Sequence, residues 1–461
     1  MAGLCFIRSY FHDWLKSLTY GAMIPLFLRL VVVFVIGAFV GSFVNWAIYA
    51  CAWRPRAISP WSRLAPGASP RGRLDRMPVL GWFALRREAA VHGTGFWIRP
   101  LLLEIGLGAA LAGLYWWEVA RLGLIKGQVD VAIAAPAWPV HLEFLSHAIL
   151  LCWMLAASFI DIDEKIIPDE ITVTGTLIGL TLATLAPISM LPHVAERPAA
   201  MVVGDALIGM NGQQAVGSQG SPLWLEPVTA IAPRPWETAG EFLSGWPALA
   251  IGLGCYWLWC FALAPRIWRG RRGVGFALGV LARRAWRESC RPPLVWLWIA
   301  GTMAIPGIWL IGGRAWAGLL TALIGLVGSG GIVWAVRLIG TAALRREAMG
   351  FGDVTLMMMV GTFIGWQASL IAFFLAPFAG LFIGIAQFAL RRDDVIPYGP
   401  FLCLATAGVV IAWAPIWMWA QPMFDMGGLV PAVVVVCLAM LGVMLAIWRV
   451  IKITLFGHAA E

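Results

Sequence analysis

Long apolar runs separated by short polar stretches recur along the chain, at about 25–50, 101–117, 143–160, 170–192, 246–265, 293–312, 315–338, 353–366, 367–390, 398–420 and 429–450. All but one are long enough, as helices rising about 1.5 Å per residue, to cross a hydrocarbon layer of roughly 30 Å. The exception, 353–366, is short for a crossing and fits a tilted or re-entrant helix as well. The pattern predicts an all-α fold, a polytopic transmembrane bundle of about 9–11 helices. Because the apolar runs continue along the whole length, the first is expected to be a membrane helix and not a removable signal peptide.

Composition agrees with that pattern. The 461 residues are 61% hydrophobic and 12% charged, with 27 Trp and a mean hydropathy of +0.82, far from a soluble globular chain. The formal net charge of +9 raises the question of nucleic acid, but the basic residues are mostly Arg grouped between apolar runs, which is the positive-inside pattern. We therefore expect lipid contacts and no nucleic acid. Tryptophans at the run ends, such as Trp116, Trp117, Trp286, Trp296, Trp298, Trp413 and Trp417, fit an interfacial belt. The eight Cys are scattered and form no CxxC pair, which argues against a disulfide framework and a cysteine zinc site.

Charge also orients the chain. The 51–99 loop holds Arg54, Arg56, Arg63, Arg71, Arg73, Arg76, Arg86, Arg87 and Arg99 against Asp75 and Glu88, which predicts a cytoplasmic loop. Counting crossings onward puts the arginines between Arg266 and Arg291, and Arg345, Arg346, Arg391 and Arg392, on the same side. Arg8, Lys16 and Arg29 run against the rule on the outer side. The predicted division is 1–50 (external N-terminus and first helix), 51–99 (cytoplasmic loop), 100–192 (helices), 193–314 (external loop and two added helices), 315–420 (helices) and 421–461 (last helix and tail).

Two acidic sites fall where helices meet the predicted cytoplasmic interface, by parity on one side: Asp161 to Asp169, and Asp353 after Gly350-Phe351-Gly352. An ionisable side chain at such a place is costly and tends to be functional. Two facing carboxylates holding one proton between them suit peptide hydrolysis, one taking a proton from water and the other donating a hydrogen bond to the scissile carbonyl. On this motif alone, a helix N-cap accounts for Asp353 as well. Asp169, which follows Pro168 and opens the next run, reads as an N-cap, Asp163 and Glu164 as solvated loop charges, and His92 as a plain loop residue.

Taken in order, these segments resemble the type IV prepilin peptidases, the bacterial branch of the GxGD aspartic proteases. Gly41-Ser42-Phe43-Val44-Asn45-Trp46-Ala47-Ile48-Tyr49 is similar to that family's opening GSFLNVVIYR. Ser59 to Arg63 and Met77 to Trp82 follow its loop, and Arg99 to Glu104 resembles its YPLVE element. Ile160 to Asp169 resembles IDLDHQLLPD, Glu347 to Asp353 resembles EGMGFGD, and Ile396-Pro397-Tyr398-Gly399-Pro400 matches IPFGP.

The resemblance implies that Asp161 and Asp353 are catalytic, with Gly350, Gly352, Pro168, Asp169, Glu104, Pro397 and Gly399 as supporting motif residues. It implies an endopeptidase of the inner membrane that removes the leader of prepilins or pseudopilins. It leaves open whether the new N-terminus is then methylated with S-adenosylmethionine; proteolysis needs no cofactor.

Three departures stand out. Leu64 to Gly67 and Glu88 to His92 occupy the regions where many members have metal-binding CxxC pairs, so no metal is expected. Thr355 stands where the family has a lysine, and 193–314 reads as an insertion whose even number of helices keeps both acids on one face. A non-catalytic assembly scaffold and an ion-coupled transporter are the alternatives from other classes.

Overall fold

In the computed structural model the described residues are 24–128, 133–134, 137–197, 205–209, 214–217, 220–263, 294–345, 347, 349–389 and 397–456. The expectations for Arg8, Lys16, Arg346, Arg391, Arg392, Ile396 and the arginines between Arg266 and Arg291 lie outside them.

Eleven helices of 13 residues or more build the described membrane layer. They are α1 (Leu26–Ala50), α2 (Ile98–Tyr115), α3 (Ala137–Glu164), α4 (Asp169–Leu185), α5 (Trp246–Leu263), α6 (Leu294–Ile311), α7 (Gly313–Leu344), α8 (Phe351–Ala389), α9 (Gly399–Ile411), α10 (Trp413–Asp425) and α11 (Leu429–Phe456). Proline sets several of the boundaries. Pro25 and Pro168, in extended geometry, precede α1 and α4. Ala186, forced out of helical geometry ahead of Pro187, ends α4.

Among the described residues eight helices are long and apolar enough to cross a membrane, or nine if the bent pair α9 and α10 is one span. The 17-residue α4 lies just under that length and packs between α7 and α8.

Helix α8 is really two legs. Gly365 has φ 74 and ψ 174, a backbone region open essentially to glycine, and the chain reverses there. At the start of the first leg, Gly352 abuts Ile167; at its end, a Cβ on Gly365 would lie 3.8 Å from Met190 Cε and 3.9 Å from the Val228 carbonyl. The second leg then returns, because Gly380 meets the Phe401 ring two residues past Gly399, which itself abuts Ile167. The 353–366 run is thus one arm of a tight hairpin. It packs along α7, where Gly325 and Gly361 bring the two backbones together and Ser329 Oγ donates to Met357 O at 2.6 Å.

Two expectations fail in detail. The predicted 170–192 run stops at Leu185, and the 398–420 run breaks at Ala412 into α9 and α10, bent by 92°. At that bend Trp413 turns into the core, where its indole donates to Pro192 O at 2.6 Å.

The sequence pattern also did not predict the sheets beside the helices. Strands β1 (Ile133–Ala134) and β4 (Ile208–Gly209) pair antiparallel, and β2 (Pro192–Glu196), β5 (Leu223–Pro227) and β3 (Asp205–Ala206) form an antiparallel sheet in the order β2-β5-β3. The segment after β5 caps the tip of the α8 hairpin: Ala230 N donates to Thr321 Oγ1 at 3.1 Å, Trp366 Nε1 to Ala230 O at 2.8 Å, and Gln367 Nε2 to Thr229 O at 2.8 Å.

Candidate functional site

Asp161 lies one turn from the C-terminal end of α3, and Asp353 lies in the first turn of α8. Both are buried. The turn between α3 and α4 joins their surroundings, because Ile167 touches both Gly352 and Gly399: a Cβ on Gly352 would lie 2.9 Å from Ile167 Cβ, and one on Gly399 would lie 3.1 Å from Ile167 Cδ1. The start of α9 also comes directly onto Asp161, since a Cβ on Gly399 would stand 2.5 Å from Asp161 Oδ2. That oxygen is buried and has no side-chain partner, the Gly399 backbone being the group that faces the carboxylate. The two carboxylates are close enough to interact electrostatically, and the Gly350 backbone faces Asp353.

The supporting residues divide into two groups. Gly350, Gly352 and Gly399 are at the acids, and half-buried Pro397 lies two residues before Gly399. Pro168 is itself the N-cap of α4, so Asp169 is not the predicted cap: it is the first helical residue, exposed, and no side-chain cap bond is made. Proline's extended backbone takes the cap position and moves the acid one place inward.

Glu104 belongs to a separate knot. Its buried carboxylate accepts Asn45 Nδ2 at 3.3 Å and the Val79 amide at 2.6 Å, while Asn45 also donates to Pro100 O at 3.0 Å. Gly41 packs on the Glu104 Cα. Three stretches matched to the family in sequence, 41–49, 77–82 and 99–104, thus meet in one place.

Asp163 and Glu164 are not merely solvated. They tie the end of α3 to α2 and to the 51–97 loop: Arg99 Nη1 of α2 reaches both Asp163 oxygens at 2.8 Å, and Glu164 accepts the Trp53 and Arg54 amides at 2.5 and 3.2 Å. His92 is not a plain loop residue either, since its Nε2 lies 3.3 Å from Glu88 Oε2. These partners are 64 to 111 positions away or buried in the loop, which is why sequence did not show them.

Several neighbours of the acids were not singled out in the sequence. Cys403 is buried and within electrostatic reach of Asp161 and Asp353. Burial, with the Asp353 charge, pushes the Tyr398 phenol up to about 12, so it stays a proton donor. Arg337 of α7 holds the approach to Gly350, its Nε donating to Met349 O at 2.9 Å and its Nη2 lying 3.3 Å from Glu347. Thr355 is buried and turns its hydroxyl back to Gly352 O at 3.0 Å.

A metal does not fit the 51–97 loop. The Glu88 oxygens are already engaged by Arg71, which leaves only His92 beside them, and among the described residues no group of three His, Cys, Asp or Glu is placed to hold an ion. A groove of about 560 Å³ between α2 and α3 is lined by apolar and glycine residues, with Arg99 its one charged side chain.

Comparison with known proteins gives one family. The model of the type IV leader peptidase family matches residues 148–217 and 292–385. The chain is 30% identical over 120 residues to a prepilin leader peptidase/N-methyltransferase of Aeromonas hydrophila, covering 24% of this chain and 40% of that protein. It is 31% identical over 100 residues to the protein of that name in Pseudomonas aeruginosa, covering 21% and 34%. Over 160 residues it is 29% identical to the one in Myxococcus xanthus, covering 34% and 41%. The matches span between about a third and two fifths of the length of these curated relatives. No solved structure matches.

Proposed function

We propose that the chain is a membrane-embedded aspartic endopeptidase that removes the leader of prepilin or pseudopilin substrates at the cytoplasmic face of the inner membrane, with Asp161 and Asp353 as the catalytic pair. The observation that carries this reading is the junction at Ile167. It brings the end of α3, the start of α8 and the start of α9 together around two buried carboxylates.

One carboxylate, ionised, takes a proton from water as the water oxygen attacks the scissile carbonyl carbon. The other, protonated, donates a hydrogen bond to the carbonyl oxygen. Collapse of the tetrahedral species breaks the C–N bond, and the leaving amine takes up a proton from the carboxyl group that removed it from water. Acids at helix ends suit this chemistry better than ion coupling, whose sites favour mid-membrane. The N-methyltransferase part of the relatives' names makes methylation of the new N-terminus, with S-adenosylmethionine as donor, the second step of this proposal.

The test is cleavage of a prepilin by the purified protein in lipid nanodiscs, beside Asp161→Asn and Asp353→Asn. Each substitution is expected to lower the rate by roughly 10² to 10⁴. Parental rates in either variant would sink the assignment.

A further inference from the structure

Arg71 is the centre of the 51–97 loop. Its side chain is 3% exposed and that of Glu88 1%. Arg71 Nε and Nη2 grip the two Glu88 oxygens at 3.1 and 2.8 Å, Nη1 donates to Ser59 O at 2.6 Å, and Nη2 also donates to Ala57 O at 3.0 Å. One cation thus gathers four oxygens from segments 12 to 17 positions away, and its charge is balanced by a single carboxylate. This is the task a structural metal performs. A planar fork of fixed donors can do this, whereas an ammonium cannot.

The loop so closed is anchored to the end of α3. The Trp53 and Arg54 amides hold Glu164, three residues past Asp161, and Arg99 at the start of α2, just after the loop, holds the adjacent Asp163. Arg87 makes a second, more exposed clamp on Asp75, whose Oδ2 also accepts the Gly72 amide at 2.7 Å.

We propose that the Arg71 guanidinium is the structural cation of this loop, doing the work of a metal ion, and that the loop it closes positions the helix end carrying Asp161. Arg71 is a positioning residue, and the proposal does not depend on the chain cutting prepilins.

Hydrogen exchange of the full-length protein in nanodiscs, read by mass spectrometry, tests it without any substrate. Treatment of the parent with EDTA or 1,10-phenanthroline is expected to leave exchange over 53–97 unchanged. Arg71→Met and Glu88→Gln are expected to raise it about tenfold or more, with exchange over 160–166 rising in step and α7 unaffected. Arg71→Lys, which keeps the charge without the planar fork, is expected to recover little of the protection.

Faster loop exchange in the chelated parent would overturn the proposal, as would parental exchange in Arg71→Met. Unchanged exchange over 160–166 in a variant with a loosened loop would overturn the positioning half. If Arg71→Met fails to fold, the chelated parent and Arg71→Lys still decide, since parental exchange in the lysine variant would overturn the proposal.

Discussion

In the 51–97 loop both oxygens of Asp75 and of Glu88 accept a charged donor, whereas Asp161, three residues before the loop's anchor at Glu164, keeps Oδ2 buried with no side-chain partner. The loop uses its carboxylates up in holding a shape. The junction at Ile167 leaves one available. Asp75 and Glu88, gripped by arginines, are fasteners whose loss costs stability; Asp161, gripped by no cation, is the reagent of the proposed reaction, and changing it costs rate.

That contrast can be broken in order of expected effect. Asp161→Asn and Asp353→Asn should remove cleavage while leaving the melting temperature of the protein within about 2 °C of the parent; a variant that melts much earlier would make the acid a fastener after all. Gly399→Ala should follow, with a loss on the order of 10²-fold in kcat, because its Cβ would stand 2.5 Å from Asp161 Oδ2 and shift the carboxylate. Parental kcat there would mean that α9 yields freely.

On the fastener side, the Arg87 hydrogen bond holds the Asp75 carboxyl below its usual range. A depressed carboxyl contributes stability that is complete above the unfolded value of about 4 and is lost as pH falls through the folded value. Pepsin should therefore nick the parent's loop increasingly below about pH 4. Asp75→Asn, already lacking the pair, should show a flatter dependence. Asp163→Asn should have the smallest effect, under about 1 kcal/mol in stability, because Arg99 and Asp163 are 37% and 23% exposed. A larger loss would place that pair among the fasteners.

The two regions also differed in how far the sequence revealed them. Membrane helices announce themselves residue by residue, and the acids were conspicuous because charge at a helix end needs a reason. The wiring of the loop was not visible, since Arg71 looks like any other arginine of a basic loop until Ser59 and Glu88 fold onto it. The small sheet escaped for a related reason. Strands of two to five residues in a Gly- and Pro-rich stretch carry too little alternation to be read locally. Gly365 was one glycine among 51, and only its neighbours at Met190 and Val228 mark it as a reversal.

The reversal at Gly365 has a consequence for the lipid. The leg from Phe351 to Ile364 rises only about 21 Å as a helix, against a hydrocarbon core of roughly 30 Å. Residues 353–364 are buried, so protein and not lipid fills the remaining depth, with the 228–232 segment seated on the hairpin tip. Packing at that tip, and not the length of the acyl chains, thereby sets how deep below the headgroups the two carboxylates sit.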